Sequence, residues 1–397
     1  MSTASAYASL PSIDAFLDRS DVPAWDAFAE LPHGLRAARL RDCVVLLRHA
    51  DGKALLSNRN IRQGLLDEVL QPGIDPRYVA RRQQSLLQHD GEQHVRERHY
   101  GALALSHATV ERLRPVMRRT INRLLDDITP GSVCDAVARI ANPYPVPIIC
   151  AALGVPVGDH ALLTDAIDVA SSAMFNPAIS HDGTQGHDRL DTYVERFVTD
   201  RSHERGDNLL SRLHAMQTEL TDHEITILVS TLIGAGTHTP RLQAAIALEF
   251  LARNPKTWEM LRNDPDTIAG TVEEIMRLRP VVSMLRRNVI QDIDLGGLTL
   301  VAGTRLLVAI GTMNRDPDVY PEPDSFDSAR DKATAHLGLG AGSHYCLGAQ
   351  LGRAELHEML SVLTTRMKTV TVAGDVEWRA PTGFQGPTRL PLAFTAA

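Results

Sequence analysis

The chain has 397 residues, 44% of them hydrophobic and 22% charged, which is ample apolar material for a large core. A formal net charge of -7 gives no global attraction for nucleic acid. Cys43, Cys134, Cys150 and Cys346 are too scattered for a disulfide framework or for zinc spacing, which suits a reducing cytoplasm.

The opening stretch MSTASAYASLPSIDAFLDRS has no basic region followed by an apolar core, so no secretory signal is expected. RDCVVLLRH (41–49) is a strand signal, apolar and β-branched. HDGEQHVRERHYGAL (89–103) sets His94 and Arg98 at i, i+4, on one face of a helix. ERLRPVMRRTINR (111–123) is an arginine-rich helical run. SSAMFNPAISHDGTQGHDR (171–189) is rich in turn formers and predicts a loop, either a lid over a pocket or plain surface.

The strongest helix is predicted over 221–255, where Thr221 and Glu224 form a capping box and Ile225, Leu228, Val229, Leu232 and Ile233 follow at helical spacing. Its most apolar part, ITILVSTLIGAG, is too short to span a bilayer, so a soluble protein is expected. DTIAGTVEEIMRLRP (266–280) predicts a helix ended by Pro280. Short strand signals occur in 289–311 and in LPLAF (390–394). The expected architecture is one domain over 1–397, mainly α with small β-sheets.

HLGLGAGSHYCLGAQLGR (336–353) crowds Gly338, Gly340, Gly342, Gly348 and Gly352 around Cys346, and Leu356, Met359, Leu360 and Leu363 continue it as a helix. A thiolate at a helix start is favoured by the partly positive helix end. Three uses are open on these residues: a nucleophile with His344 as base, a redox thiol, or a metal ligand. The glycines would suit a backbone lying against a flat group.

LGAGSHYCLG resembles the haem-binding loop of the cytochrome P450 family: aromatic, Gly, any, Gly, any, basic, any, Cys, any, Gly. Gly340, Gly342, His344, Cys346 and Gly348 match, while Leu339 takes the aromatic position. EEIMR resembles the family's Glu-x-x-Arg, and 314–330 its meander. The resemblance implies a buried structural ion network of Glu274, Arg277 and Arg330. Asp90, His94 and Arg98 match Asp-Pro-Pro-x-His-x-x-x-Arg, with Gly91 and Glu92 in the proline positions. With Arg287 and His344, His94 and Arg98 would bind haem propionates.

In the central helix, Ala235, Gly236, Thr237, His238, Thr239 and Pro240 match the pattern Ala/Gly-Gly-x-Asp/Glu-Thr-Thr/Ser. Ala235 and Gly236 would leave space over the iron, and Thr239 would relay protons. His238 replaces the acid and, in an ordinary environment, would be near half-protonated at neutral pH. Pro240 removes a helical hydrogen bond and would fix an opening in the helix.

The resemblance spans residues 30–395. It implies the cytochrome P450 fold, a triangular helical prism with haem b between the long central helix and the cysteine-loop helix, with Cys346 on the iron and thiolate donation favouring O–O cleavage. The implied activity is oxidation of a small molecule or short peptide by O2, as hydroxylation. Aromatic coupling or desaturation is the alternative chemistry, and a haem sensor or a cysteine hydrolase the alternative class. Val282, Met284 and Phe384 would line the substrate pocket, with the 60–90 loop region nearby. Electrons would come from a ferredoxin or flavodoxin, for which the 111–123 arginines are a candidate surface. A cytoplasmic monomer is expected, with no membrane and no nucleic-acid partner.

Overall fold

The computed structural model describes residues 7–15, 25, 27, 30–31, 34–64, 74–175, 180–200, 208–216, 218–331, 333–379 and 384–396. The helix Asp222–Arg253 is its axis. It starts where the sequence predicts: Thr221 Oγ1 accepts the Glu224 N–H at 3.2 Å, and Glu224 returns a carboxylate oxygen to the Thr221 N–H at 2.8 Å. Helices Pro145–Leu153, Ser180–Thr199, Ile268–Leu278 and Ala349–Arg366 pack on it around one large apolar core. The axis runs unbroken through Pro240. The Thr239 hydroxyl donates to the Ala235 carbonyl at 3.2 Å, beside the Gly236 carbonyl that Pro240 leaves without its helical donor.

Beside the helices lies a five-stranded sheet in the order Ala37–Leu40, Cys43–Leu46, Arg305–Ala309, Met284–Val289, Ile61–Gln63. Only the Cys43–Leu46 and Arg305–Ala309 pair is parallel. Val133–Asp135, Pro391–Ala396 and Met367–Val372 form a second sheet. The mainly α expectation holds, and the strand signals at 41–49, 289–311 and 390–394 all fall on strands.

The loop expected over 171–189 is corrected. Helix His160–Phe175 enters it and helix Ser180–Thr199 leaves it; residues 176–179 lie outside the described ones. Its small residues serve a close crossing of these two helices. A Cβ on Gly186 would meet the Ala170 backbone nitrogen at 2.2 Å, and Gly183 and Thr184 are buried beside it. The 60–90 stretch likewise holds strand Ile61–Gln63 and helix Pro76–Gln83.

Candidate active site around the cysteine loop

The loop is two tight turns, Leu337–Leu339 and Gly342–His344, ahead of helix Ala349–Arg366. Gly342, at φ +68°, sits so close to the chain at Leu56 that a Cβ would lie 2.2 Å from the Leu56 carbonyl oxygen. No L-residue fits there. The Cys346 N–H donates to the Leu339 carbonyl at 2.8 Å, so Leu339 anchors the sulfur-bearing residue through its backbone whatever its side chain. Burial raises the Cys346 thiol, while the Gly348 N–H and the charges of Arg98 and Arg353 pull the other way. A metal cation at the sulfur would tip that balance to the thiolate. Among the described residues no group of three His, Cys, Asp or Glu could hold a bare metal ion.

The residues expected to bind propionates do converge. The His94 and His344 rings lie 4.0 Å apart between centroids. Asp90, the N-cap of helix Gly91–Ala104, makes no capping bond, and its carboxylate meets His344 Nε2 at 3.1 Å. Arg98 donates to the Tyr345 carbonyl at 2.6 Å. Arg287, only 6% exposed, donates to the Arg286 carbonyl at 2.7 Å and pairs with no carboxylate among the described residues. Burial pushes Arg287 down to about 10, with Asp90 opposing. Burial, then the neighbouring His344 and Arg98, push His94 down to about 4. Asp90 is shared by His344 and Arg62, while the Arg287 and Arg98 guanidiniums have no carboxylate partner among the described residues, so two fixed positive charges beside the loop lack negative charge. Two carboxylates on a flat group beside Cys346 would supply it, so these residues fit haem.

On the central helix the assignments divide. Ala235 is exposed and leaves open space. Gly236 does not: a Cβ there would meet Ile149 Cδ1 at 2.7 Å, so its smallness serves packing against helix Pro145–Leu153. His238 is corrected too. Its Nε2 meets the Ser171 hydroxyl on helix His160–Phe175. Burial, then Arg241 and Arg379, push it down to about 3, so it is neutral at physiological pH rather than half-protonated. Met284, 8% exposed, packs in one apolar cluster with Ala38, Val45 and Leu307. Val282 and Phe384 face each other across an isolated β-bridge at the edge of the main core and keep their candidacy.

His238 and His187, the latter pushed down to about 4 by burial and by Arg81, bear on acid stability. An unfolded histidine takes its proton near pH 6.5, the folded ones only near 3 to 4. Between those values the unfolded state binds more protons, so stability is full above 6.5 and falls as pH drops toward 4. Melting temperatures should decline from pH 7 to pH 5, and less steeply in a His187→Asn/His238→Asn variant. Equal slopes would clear both histidines.

The ion network forms as expected. Arg277 holds Glu274 through two bonds, 2.6 and 2.9 Å, and Arg330 Nε reaches the same carboxylate at 3.1 Å. Sequence reasoning missed its neighbour. Glu273 accepts two bonds from Arg353, 2.5 and 3.0 Å, and one from His336 Nε2 at 3.2 Å. Burial works against that charge, yet the bonds from His336 and Arg353 hold Glu273 down at about 2. The signal was the doubled acid of EEIMR, with a base at each end of 336–353.

The cytochrome P450 family model matches residues 172–375. Nocardicin C N-oxygenase of Nocardia uniformis subsp. tsuyamanensis is 32% identical over 92% of this chain and 91% of its own. Luteothin monooxygenase of Streptomyces thioluteus is 30% identical over 100% of this chain and 98% of its own. The crystal structure of GfsF superposes with a TM-score of 0.80 at 29% identity, covering 93% of this chain and 95% of that one. Likeness over nearly the full length and likeness of fold agree: the chain belongs to the cytochrome P450 family and is a monooxygenase-type oxidoreductase that carries haem b.

Proposed function

We propose that Cys346 would hold the haem iron through its thiolate and that this chain, as one domain, inserts oxygen from O2 into a small secondary metabolite. Haem b supplies the iron chemistry that activates dioxygen. The chain's own residues do the rest. The Gly348 N–H steadies the sulfur's charge; His94, Arg98, Arg287 and His344 hold the two propionates. Ala235, exposed on the central helix, would leave room for dioxygen, and the Thr239 hydroxyl, hung on the Ala235 carbonyl, would move protons to it. His238 stays neutral against Ser171 and anchors the helix. The observation that carries this reading is Cys346 set in a glycine loop beside buried Arg287 and half-buried Arg98, neither paired with a carboxylate among the described residues. The relatives' names, an N-oxygenase and a monooxygenase, support oxygen insertion over coupling.

Electrons come, on this proposal, from a ferredoxin or flavodoxin with its reductase, and the enzyme works as a cytoplasmic monomer. Among the described residues no helix is long and apolar enough to cross a membrane. The 111–123 arginines offer that donor less than their number suggests, since Arg114 and Arg118 are both spent on Glu358.

Thr239→Ala tests the relay. With a ligand found by its haem spin-state shift, product per reducing equivalent should fall while hydrogen peroxide rises. Unchanged coupling moves the relay elsewhere. In labelled O2 the wild-type product should gain one heavy oxygen atom; a loss of two hydrogens would instead mean coupling or desaturation.

A further inference from the structure

Helix Ile268–Leu278 carries two adjacent glutamates with separate tasks. Glu274 turns inward to Arg277 and Arg330. Glu273, one residue and about 100° earlier around the helix, faces the cysteine loop. The loop lies directly on this helix: a Cβ on Gly338 would be 2.9 Å from the Met276 carbonyl oxygen.

Glu273 reaches both ends of that loop. On the near side it accepts His336 Nε2, and His336 Nδ1 accepts the Gly338 N–H at 3.1 Å. A ring that accepts at Nδ1 carries its proton on Nε2, so His336 is a neutral donor to Glu273. The next residue, Leu339, takes the Cys346 N–H on its carbonyl. On the far side Glu273 holds Arg353 by a two-pronged contact. Arg353 in turn reaches the Tyr345 hydroxyl at 3.2 Å and the Ala349 carbonyl at 3.4 Å.

We infer that Glu273 is a positioning residue that clamps residues 336 and 353 together and, by neutralising Arg353, sets the electrostatic field at the Cys346 sulfur. The inference rests on the proposed ligation by Cys346. Its chemistry is simple. Arg353, in the first turns of the helix that follows Cys346 and bonded to the adjoining Tyr345 hydroxyl and to the Ala349 carbonyl, places a fixed positive charge beside the loop that carries the sulfur. Glu273 cancels part of it through a short two-pronged pair. Without the carboxylate the field at the sulfur turns more positive, sulfur donates less to the iron, and the reduced state gains. Without the guanidinium the field turns more negative and the oxidised state gains.

The test is the haem reduction potential, with the carbon monoxide difference spectrum read beside it. Glu273→Gln keeps the shape and removes the charge, and its potential should rise. Arg353→Gln should lower it, and Arg353→Lys, which keeps the charge, should stay near wild type. His336→Gln removes no charge and should move the potential least. If Arg353→Gln fails to load haem, Glu273→Asp near wild type with Glu273→Gln raised carries the same conclusion. A purely mechanical clamp would shift Glu273→Gln and Arg353→Gln in the same direction, and that result overturns the inference, as does no shift in either. A wild-type spectrum without the thiolate signature would instead overturn the ligation itself and this inference with it.

Discussion

Cys346→Ser is expected to give a folded protein with no thiolate signature and no oxygen-dependent product. The loop should survive, because its hydrogen bonds are made by backbone. The Cys346 N–H donates to Leu339, its carbonyl accepts the Ala349 N–H at 3.3 Å, and Gly342 stays seated on residue 56. What changes is the donor. A serine hydroxyl is harder and far less acidic than a thiol, and burial already works against the charged form at this position. Replacing an outer partner of a metal ligand costs up to about 100-fold in affinity or activity, so replacing the ligand should exceed about 100-fold in product formation. The checks are the carbon monoxide difference spectrum and product formed per haem. A surviving thiolate band would move the ligand to another cysteine.

Arg277→Ala should not accumulate as haem-loaded protein. Its side chain is fully buried, as is that of Glu274. Besides Glu274, the guanidinium donates to the carbonyls of Asn314 at 2.8 Å, Pro323 at 2.6 Å and Ser325 at 3.1 Å. It thereby ties helix Ile268–Leu278 to the 314–330 meander. Removing one partner of a buried pair costs about 3 to 5 kcal/mol, and the buried Asn314 carbonyl, left without this donor, adds about 1 kcal/mol or more. Against a total stability of about 5 to 15 kcal/mol, that sum removes from about a third to all of it. Arg277→Lys should fare little better, because an ammonium cannot span the two carboxylate oxygens and three carbonyls at once. Soluble yield, haem-to-protein ratio and the urea midpoint measure the effect. A wild-type midpoint in Arg277→Ala would make the network decorative.

The site was legible where chemistry dictates residue type at fixed spacing. The cysteine loop folds as glycine-built turns, His94 meets His344, Arg98 reaches the Tyr345 carbonyl, and Glu274 pairs with Arg277, all residues read from the sequence. The central helix was legible because the capping box and apolar period agree. What failed depended on three-dimensional neighbours. Gly183 and Gly186 looked like turn formers, yet they let two helices touch, which no local pattern reveals. Gly236 had the composition of an open face, but Ile149 from another helix fills it. His238 has an ordinary side chain in an unusual burial, set by Ser171 and Arg379, both distant in sequence, together with Arg241 on its own helix. Glu273 was overlooked beside a better-known neighbour, and only the fold gathers His336 and Arg353 onto it.

The seat of Gly342 on the chain at Leu56 joins the two ends of the polypeptide at the socket for the cofactor. The first half of that seat leaves the ribosome early and must wait for nearly the whole remaining sequence. Such distant pairings form late, after the costly closure of a long loop. Pigment capture is therefore an act of the finished chain, and a nascent fragment has nowhere to keep it.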